Sequence, residues 1–253
     1  MVPMNPWRAS VLMRGTPTRA SCVLARRGGD IAIFDTGLAH HAASLVAALA
    51  AHGITPDEVT LVFNTHSHAD HSHNNILFAR AHIFCSARDL AWTRALHGLL
   101  ATSPGPALRD VAAFYPEVLE GSYTPKLVGK MLALEKLMWD QSRLGAENQF
   151  AWLEDATPPA GISVIETPGH VPHHVSFSIE TEDRPLLVCG DALFARPADD
   201  AGRVMVPAWS LSTYRRSRER IKAFDGIVVP GHDEPFDNRP PVPQNTTSKP
   251  PAK

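Results

Sequence analysis

His66-Ser67-His68-Ala69-Asp70-His71 places four metal-ligating side chains within six residues. Directly ahead of them stands Val59-Thr60-Leu61-Val62-Phe63, a short apolar, β-prone run that reads as a buried strand. The ligand-bearing residues therefore sit on the loop at that strand's C-terminal end. His66 and His68, two apart, can turn both imidazoles into one pocket. Asp70 and His71 can serve a second position beside it. Neutral imidazole suits zinc, iron and other borderline metals, and a carboxylate adds a hard oxygen. A polar loop that merely happened to be rich in histidine would need no partners elsewhere in the chain.

This chain supplies such partners in order. Thr167-Pro168-Gly169-His170 follows the apolar run Ile162 to Ile165. Cys189-Gly190-Asp191 follows Leu186 to Val188, and Pro230-Gly231-His232 follows Ile227 to Val229. H-x-H-x-D-H after a strand, then T-P-G-H, G-D and V-V-P-G-H, resembles the metallo-β-lactamase superfamily, from about Ile31 to Phe236. The resemblance implies an α/β chain folded as an αββα sandwich, here with a helical insertion. It also implies two divalent metal ions, Zn2+ first and Fe or Mn as alternatives. His66, His68 and His170 would hold one ion, and Asp70, His71 and His232 the other, with Asp191 bridging them. Asp35, in Asp35-Thr36-Gly37, would support the metal loop by hydrogen bonds, as would His174, four residues after His170. From its residue type alone, Asp35 reads equally well as a turn aspartate.

Ligands spread from His66 to His232 argue for one metal-centred domain over residues 1–238 of the 253-residue chain. After Phe236 the sequence turns to Pro, Asn, Ser and Lys, and residues 239–253 read as a disordered tail. The apolar fraction of 44% suffices for a sizeable core, and a net charge of −2 offers no basic stripe for nucleic acid. Three widely spaced cysteines, Cys22, Cys85 and Cys189, make no disulfide framework and point to a reducing cytoplasm. Cys189 reads as an apolar filler of its strand. No run is long enough for a membrane helix, and residues 1–10 lack the apolar core of a signal peptide.

The flanking elements alternate. Ser21 to Leu24 and Ile31 to Phe34, separated by Gly28-Gly29, form a hairpin signature. Leu38 to His52 has helical spacing, with Gly53 placed to end the helix and His40, His41 and His52 expected at the surface. A short helix (Asn75 to Arg80), a strand (Ala81 to Cys85) and a helix (Ala87 to Leu100) follow, an alternation typical of α/β layering. Thr102 to Phe150 is surplus over compact relatives and opens on the breaker Thr102-Ser103-Pro104-Gly105-Pro106. Within it, Leu127, Met131, Leu134 and Met138 recur at helical intervals. This insertion is expected to supply an apolar substrate wall or a homodimer face, with ordinary core packing as the alternative. Further on, Ser212 is placed to cap a helix running to Phe224. Its arginines 215, 216, 218 and 220 read as a solvated face. His73 and His173 stay unassigned.

Two ions about 3.5–4 Å apart can lower the pKa of the water between them toward ~7, with Asp70 orienting the hydroxide or shuttling its proton. The expected activity is hydrolysis of a small-molecule carboxyl ester, thioester or lactone. Acyl-homoserine lactonases, which share the ligand set, place a tyrosine three residues after the bridging aspartate, where this chain has Phe194. A phosphodiesterase or nuclease of the same fold and a mononuclear-iron redox enzyme are the alternatives.

Overall fold

The computed structural model describes residues 5–102, 111–116, 125–196 and 208–239. Most of the expected breaker after Thr102, parts of the insertion and the tail beyond Arg239 lie outside the described residues.

The hairpin forms as its sequence suggests. Strands β1 (Arg8–Met13), β2 (Cys22–Arg27) and β3 (Asp30–Phe34) are antiparallel neighbours, with Gly28 in the left-handed conformation of the tight turn. Next come helix α1 (Ala42–Ala51), β4 (Leu61–Phe63), the single-turn helix α2 (Ala69–Ser72), β5 (His82–Cys85) and α3 (Ala87–Thr102). Helix α4 (Pro125–Met138) and β6 (Phe150–Trp152) complete this half. The first sheet runs β1-β2-β3-β4-β5-β6, parallel from β3 onward. Strands β7 (Ile162–Glu166), β8 (Val175–Ile179), β9 (Leu186–Val188), β10 (Gly226–Val229) and β11 (Phe236–Asn238) make the second sheet, in the order β11-β10-β9-β8-β7. Helix α5 (Leu211–Lys222) precedes β10.

Strand alternation sorts side chains into layers. Phe34, Leu61, Phe63 and Phe84 meet Phe177, Ile179 and Val188 between the two sheets. Ile33 and Val62 point the other way, onto Leu45 and Leu49 of α1. Leu187 and Val228 face Ile221 of α5. The result is helix, sheet, sheet, helix. Phe34, Phe63 and Phe84 lie in register on adjacent parallel strands. Phe63 stacks between the other two at 4.7 and 4.8 Å, and Phe177 meets it edge-on at 5.2 Å. Each such pair contributes about 0.5–1.5 kcal/mol beyond area burial. This stack lies at or next to the C-terminal ends of three strands whose following residues begin the metal loop and its supports.

Two boundaries differ from the sequence reading. The α-helix starts at Ala42 rather than Leu38, after a 3-10 turn at Ala39–His41. Asn74 Nδ2 donates to the carbonyls of Thr36 and Leu38, which anchors this stretch to the metal loop and delays the helix. The cap of α5 is Ser210, whose hydroxyl accepts from the Thr213 amide, not Ser212. The arginines of α5 lie at least partly exposed, as a solvated face requires.

Candidate metal centre

The site lies where the C-terminal ends of β4, β7, β9 and β10 converge. His66 and His68 follow β4, and Asp70 and His71 lie on α2. His170 follows β7, Asp191 follows β9, and His232 follows β10. Residues from opposite ends of the chain thus meet between the sheets. Three groups have ligand atoms within 4.8 Å of one another: His66, His68 and His170; His66, His71 and Asp191; Asp70, His71 and His232. All seven residues expected from sequence are among them.

The carboxylate of Asp191 spans the cluster. Its Oδ2 is 3.6 Å from His170 Nε2, while its Oδ1 is 3.3 Å from His71 Nε2 and 3.4 Å from His232 Nε2. Asp70 Oδ2 is 3.2 Å from His232 Nε2 and 3.8 Å from His71 Nε2. His68 Nδ1 approaches His170 Nε2 to 2.9 Å. Two nitrogens sharing a tetrahedral ion would stand about 3.3 Å apart.

Donor chemistry tests whether these residues fit a metal. The Nε2 atoms of His66, His71 and His232, and Asp191 Oδ1, are buried without a hydrogen-bond partner. Native proteins seldom leave such groups unsatisfied, because each costs on the order of 1–3 kcal/mol. Cations satisfy them together, and the all-nitrogen-and-oxygen donor set suits a borderline divalent ion. Without metal, protons substitute. Burial opposes charge on His232, but Asp191 and Asp70 outweigh it and raise that imidazole to about 10. Burial likewise opposes the charge on Asp70, yet His71 and His232 hold its carboxyl well below the usual range.

A layer behind the ligands fixes their tautomers. Asp35 adopts φ 53°, a left-handed conformation that Asp tolerates better than most residues. Its Oδ1 accepts from the Thr65 amide at 2.8 Å, and its Oδ2 accepts from Thr65 Oγ1 and from His71 Nδ1, both at 2.8 Å. Thr65 Oγ1 in turn receives the Nδ1–H of His66 at 3.1 Å. One carboxylate therefore presents the Nε2 lone pair of a histidine in each half of the cluster. His232 Nδ1 donates to the carbonyl of Thr16 at 3.0 Å. His174 is buried beside His66, with 5.0 Å between ring centroids, and its Nδ1 contacts Thr167 Oγ1 at 2.9 Å. Space is close: a Cβ at Gly190 would stand 2.4 Å from Thr65 Oγ1, and one at Gly231 would stand 2.4 Å from Asp191 Oδ1.

Sequence reasoning missed two supports. Asp89, in the first turn of α3, accepts from the Ser67 amide at 2.6 Å and so holds the loop between His66 and His68. Its only sequence signal is an acid just inside a helix after a strand. The second is a bracket in the insertion. His73 is fully buried and faces Trp139, with 5.4 Å between ring centroids, rather than the ligand cluster. Burial depresses its pKa to about 4. The indole of Trp139 stacks on His97 at 4.1 Å, and His97 Nε2 donates to Glu135 at 3.2 Å. Burial opposes charge on Glu135, but the His97 hydrogen bond and nearby His68 hold its carboxyl below the ordinary value. Of the histidines expected at the surface, His40 is exposed yet lines the pocket mouth. His173 is half-buried and in none of the three ligand groups. Cys22, Cys85 and Cys189 are free and buried, their thiols pushed up by burial.

A cavity of about 590 Å³ opens onto the cluster. His68, Asp70, His170, Asp191 and His232 form its floor, and Leu96, Tyr115, Met131, Leu132, Leu134 and Met138 form a wall. Among the described residues no Lys or Arg lines it.

The family model for the metallo-beta-lactamase superfamily matches residues 15–232. The chain belongs to that superfamily. It is 28% identical over 210 residues to mouse (Mus musculus) metallo-beta-lactamase domain-containing protein 1, covering 81% of this chain and 60% of that protein. The rat (Rattus norvegicus) counterpart is 30% identical over 216 residues, with coverages of 81% and 62%. The chain thus spans about six-tenths of the length of these relatives. Among solved structures, AidC, a dizinc quorum-quenching lactonase in complex with a homoserine product, superposes with a TM-score of 0.62 at 13% identity. That match covers 94% of this chain and 90% of AidC. AiiA of B. thuringiensis, with N-decanoyl-L-homoserine at its active site, gives 0.56 at 18% identity over 91% and 94%. At such identities the likeness is one of fold. Among the described residues no helix is long and apolar enough to cross a membrane.

Proposed function

We propose that the chain is a di-metal hydrolase that cleaves a small carboxyl ester, thioester or lactone. One observation carries this reading: a cluster of buried, unsatisfied imidazole and carboxylate atoms forms the floor of a cavity whose wall is apolar. His66, His68 and His170 would hold one ion, Asp70, His71 and His232 the other, and Asp191 would be shared, consistent with its oxygens facing different histidines. Zinc is the ion of choice for such nitrogen and oxygen donors, with iron and manganese as alternatives. When bound, the ions supply activated water at neutral pH and polarise the substrate's carbonyl oxygen.

The chain's own residues do the rest. Asp70 has a side chain 24% exposed, against 5% or less for Asp191 and His232, so it is the acid of the cluster best placed to exchange a proton with water or substrate. Phe194 stacks on His232 at 4.4 Å and shields that side of the cluster. Tyr115 contributes a phenol to the pocket from the insertion, although no hydroxyl stands at residue 194. The apolar wall suits an acyl or lactone body, and among the described residues it offers the anionic charge of a phosphodiester no Lys or Arg. The three buried free thiols support the reading of a reducing cytoplasm.

Metal-replete protein should be assayed against short-chain esters, thioesters, lactones and bis-aryl phosphodiesters. Turnover of carboxyl substrates, lost with chelator and restored by zinc, is expected. Phosphodiester cleavage alone would overturn the substrate class and leave the site standing.

A further inference from the structure

Among the described residues the mostly apolar pocket wall carries one carboxylate. Glu135 on α4 lines the cavity among Leu96, Tyr115, Met131, Leu132 and Met138. It belongs to none of the three ligand groups found among the described residues. Its Oε1 receives the His97 hydrogen bond, which leaves Oε2 without a donor from the described residues. The group is nonetheless held with care. His97 comes from α3, is fixed face-on by Trp139, and Trp139 rests on His73, two residues beyond the ligand His71. Arg143 Nε donates to the carbonyl of His73 at 2.9 Å and closes the bracket. This carboxylate's one ion pair among the described residues is with His97, which is charged only when protonated, and no Lys or Arg among them lines the cavity. Such a group gains most from a donor that is itself cationic.

From this we infer that Glu135 is a recognition residue, and that the substrate is an acyl compound with an apolar body and an ammonium group remote from the bond cleaved. The inference rests on the hydrolase reading for the word substrate, but not for the binding site. The ammonium would meet Glu135 at the wall while the carbonyl reaches the floor. His97 and Trp139 are positioning residues that keep the carboxylate aimed into the cavity.

The test uses the zinc-loaded chain and two probes of equal length, n-hexylammonium and 1-hexanol, titrated calorimetrically. Wild type is expected to bind the ammonium more tightly. Glu135→Gln keeps an acceptor for His97 and so preserves packing. It should weaken the ammonium by at least about tenfold, the scale of one charge-assisted hydrogen bond. The hexanol affinity and the thermal midpoint should hold. Glu135→Leu, which fills the space with apolar atoms, should give the same loss if Gln disturbs the helix. Equal binding of both probes by wild type would overturn the inference. So would an equal loss of both in the variants, the mark of a purely structural role, or an ammonium preference that survives them. Because no turnover is measured, a protein silent toward every ester could still pass, which separates failure of this inference from failure of the hydrolase reading.

Discussion

The floor and the wall of the pocket are built on different terms. Polar partners stand behind the floor and the loop that carries it: Asp35 behind His71 and, through Thr65, behind His66, Asp89 behind the Ser67 amide, the Thr16 carbonyl behind His232. The strands beneath are pinned by the phenylalanine stack. The wall is a small cluster of its own, Leu96, Leu100, Val111, Tyr115 and Leu132, joined to the floor through one aromatic and ionic bracket. The floor leaves almost no room for substitution, whereas the wall changes its lining without touching a ligand. Under the proposed function the difference would separate chemistry from selectivity, and variants should divide along the same line.

The largest effect is expected at the shared carboxylate. Asp191→Ala should abolish activity, a fall of at least about a thousandfold, because on the proposed di-metal reading both ions would lose their common ligand. Metal analysis of the purified variant should show less than the wild-type content. Full activity with full metal would break the division between floor and wall at its strongest point. Behind the ligands, Asp35→Asn keeps the left-handed backbone but loses the charge that orients His66 and His71. Metal affinity in a competitive chelator titration should fall about 10–100-fold. A loss confined to one ion would show that the two halves are oriented independently.

Wall variants should act otherwise. Met131→Ala is expected to leave metal content intact and to change KM among esters of different chain length by about tenfold or less, the worth of one or two methylenes. Loss of metal in that variant would merge the two regions. The smallest effect concerns pH. His73 has a folded pKa of about 4 against an ordinary 6.5, so the unfolded chain binds more protons between those values. Its penalty on the folded state is absent above pH 6.5 and grows as pH falls toward about 4. His73→Phe should flatten this part of the stability curve in denaturant titrations at stepped pH. An unchanged slope would mean that the bracket does not hold His73 neutral.

Much of the candidate site was legible in the sequence because the residues expected to hold metal follow strands and recur in fixed local patterns. A histidine after an apolar run can be read without knowing which strand lies beside it. Asp35 could be suspected because an aspartate at the end of β3 has a narrow range of uses. Asp89 could not, since its partner at Ser67 is set by the parallel pairing of β4 and β5. The wall was visible only as an amphipathic repeat. Met131, Leu134 and Met138 do line the cavity as that repeat suggested. The link from His73 through Trp139 and His97 to Glu135 joins residues 73, 139, 97 and 135, a set no spacing rule connects. Ser210 took the cap expected of Ser212, where two serines flank one leucine and only backbone geometry decides.

The most direct test of the account is metal content per chain, by elemental analysis of protein loaded with zinc and freed of excess, for wild type and Asp191→Ala. Two equivalents in wild type, falling in the variant together with ester turnover, is the predicted result. One equivalent in wild type, unchanged by loss of Asp191, would contradict it.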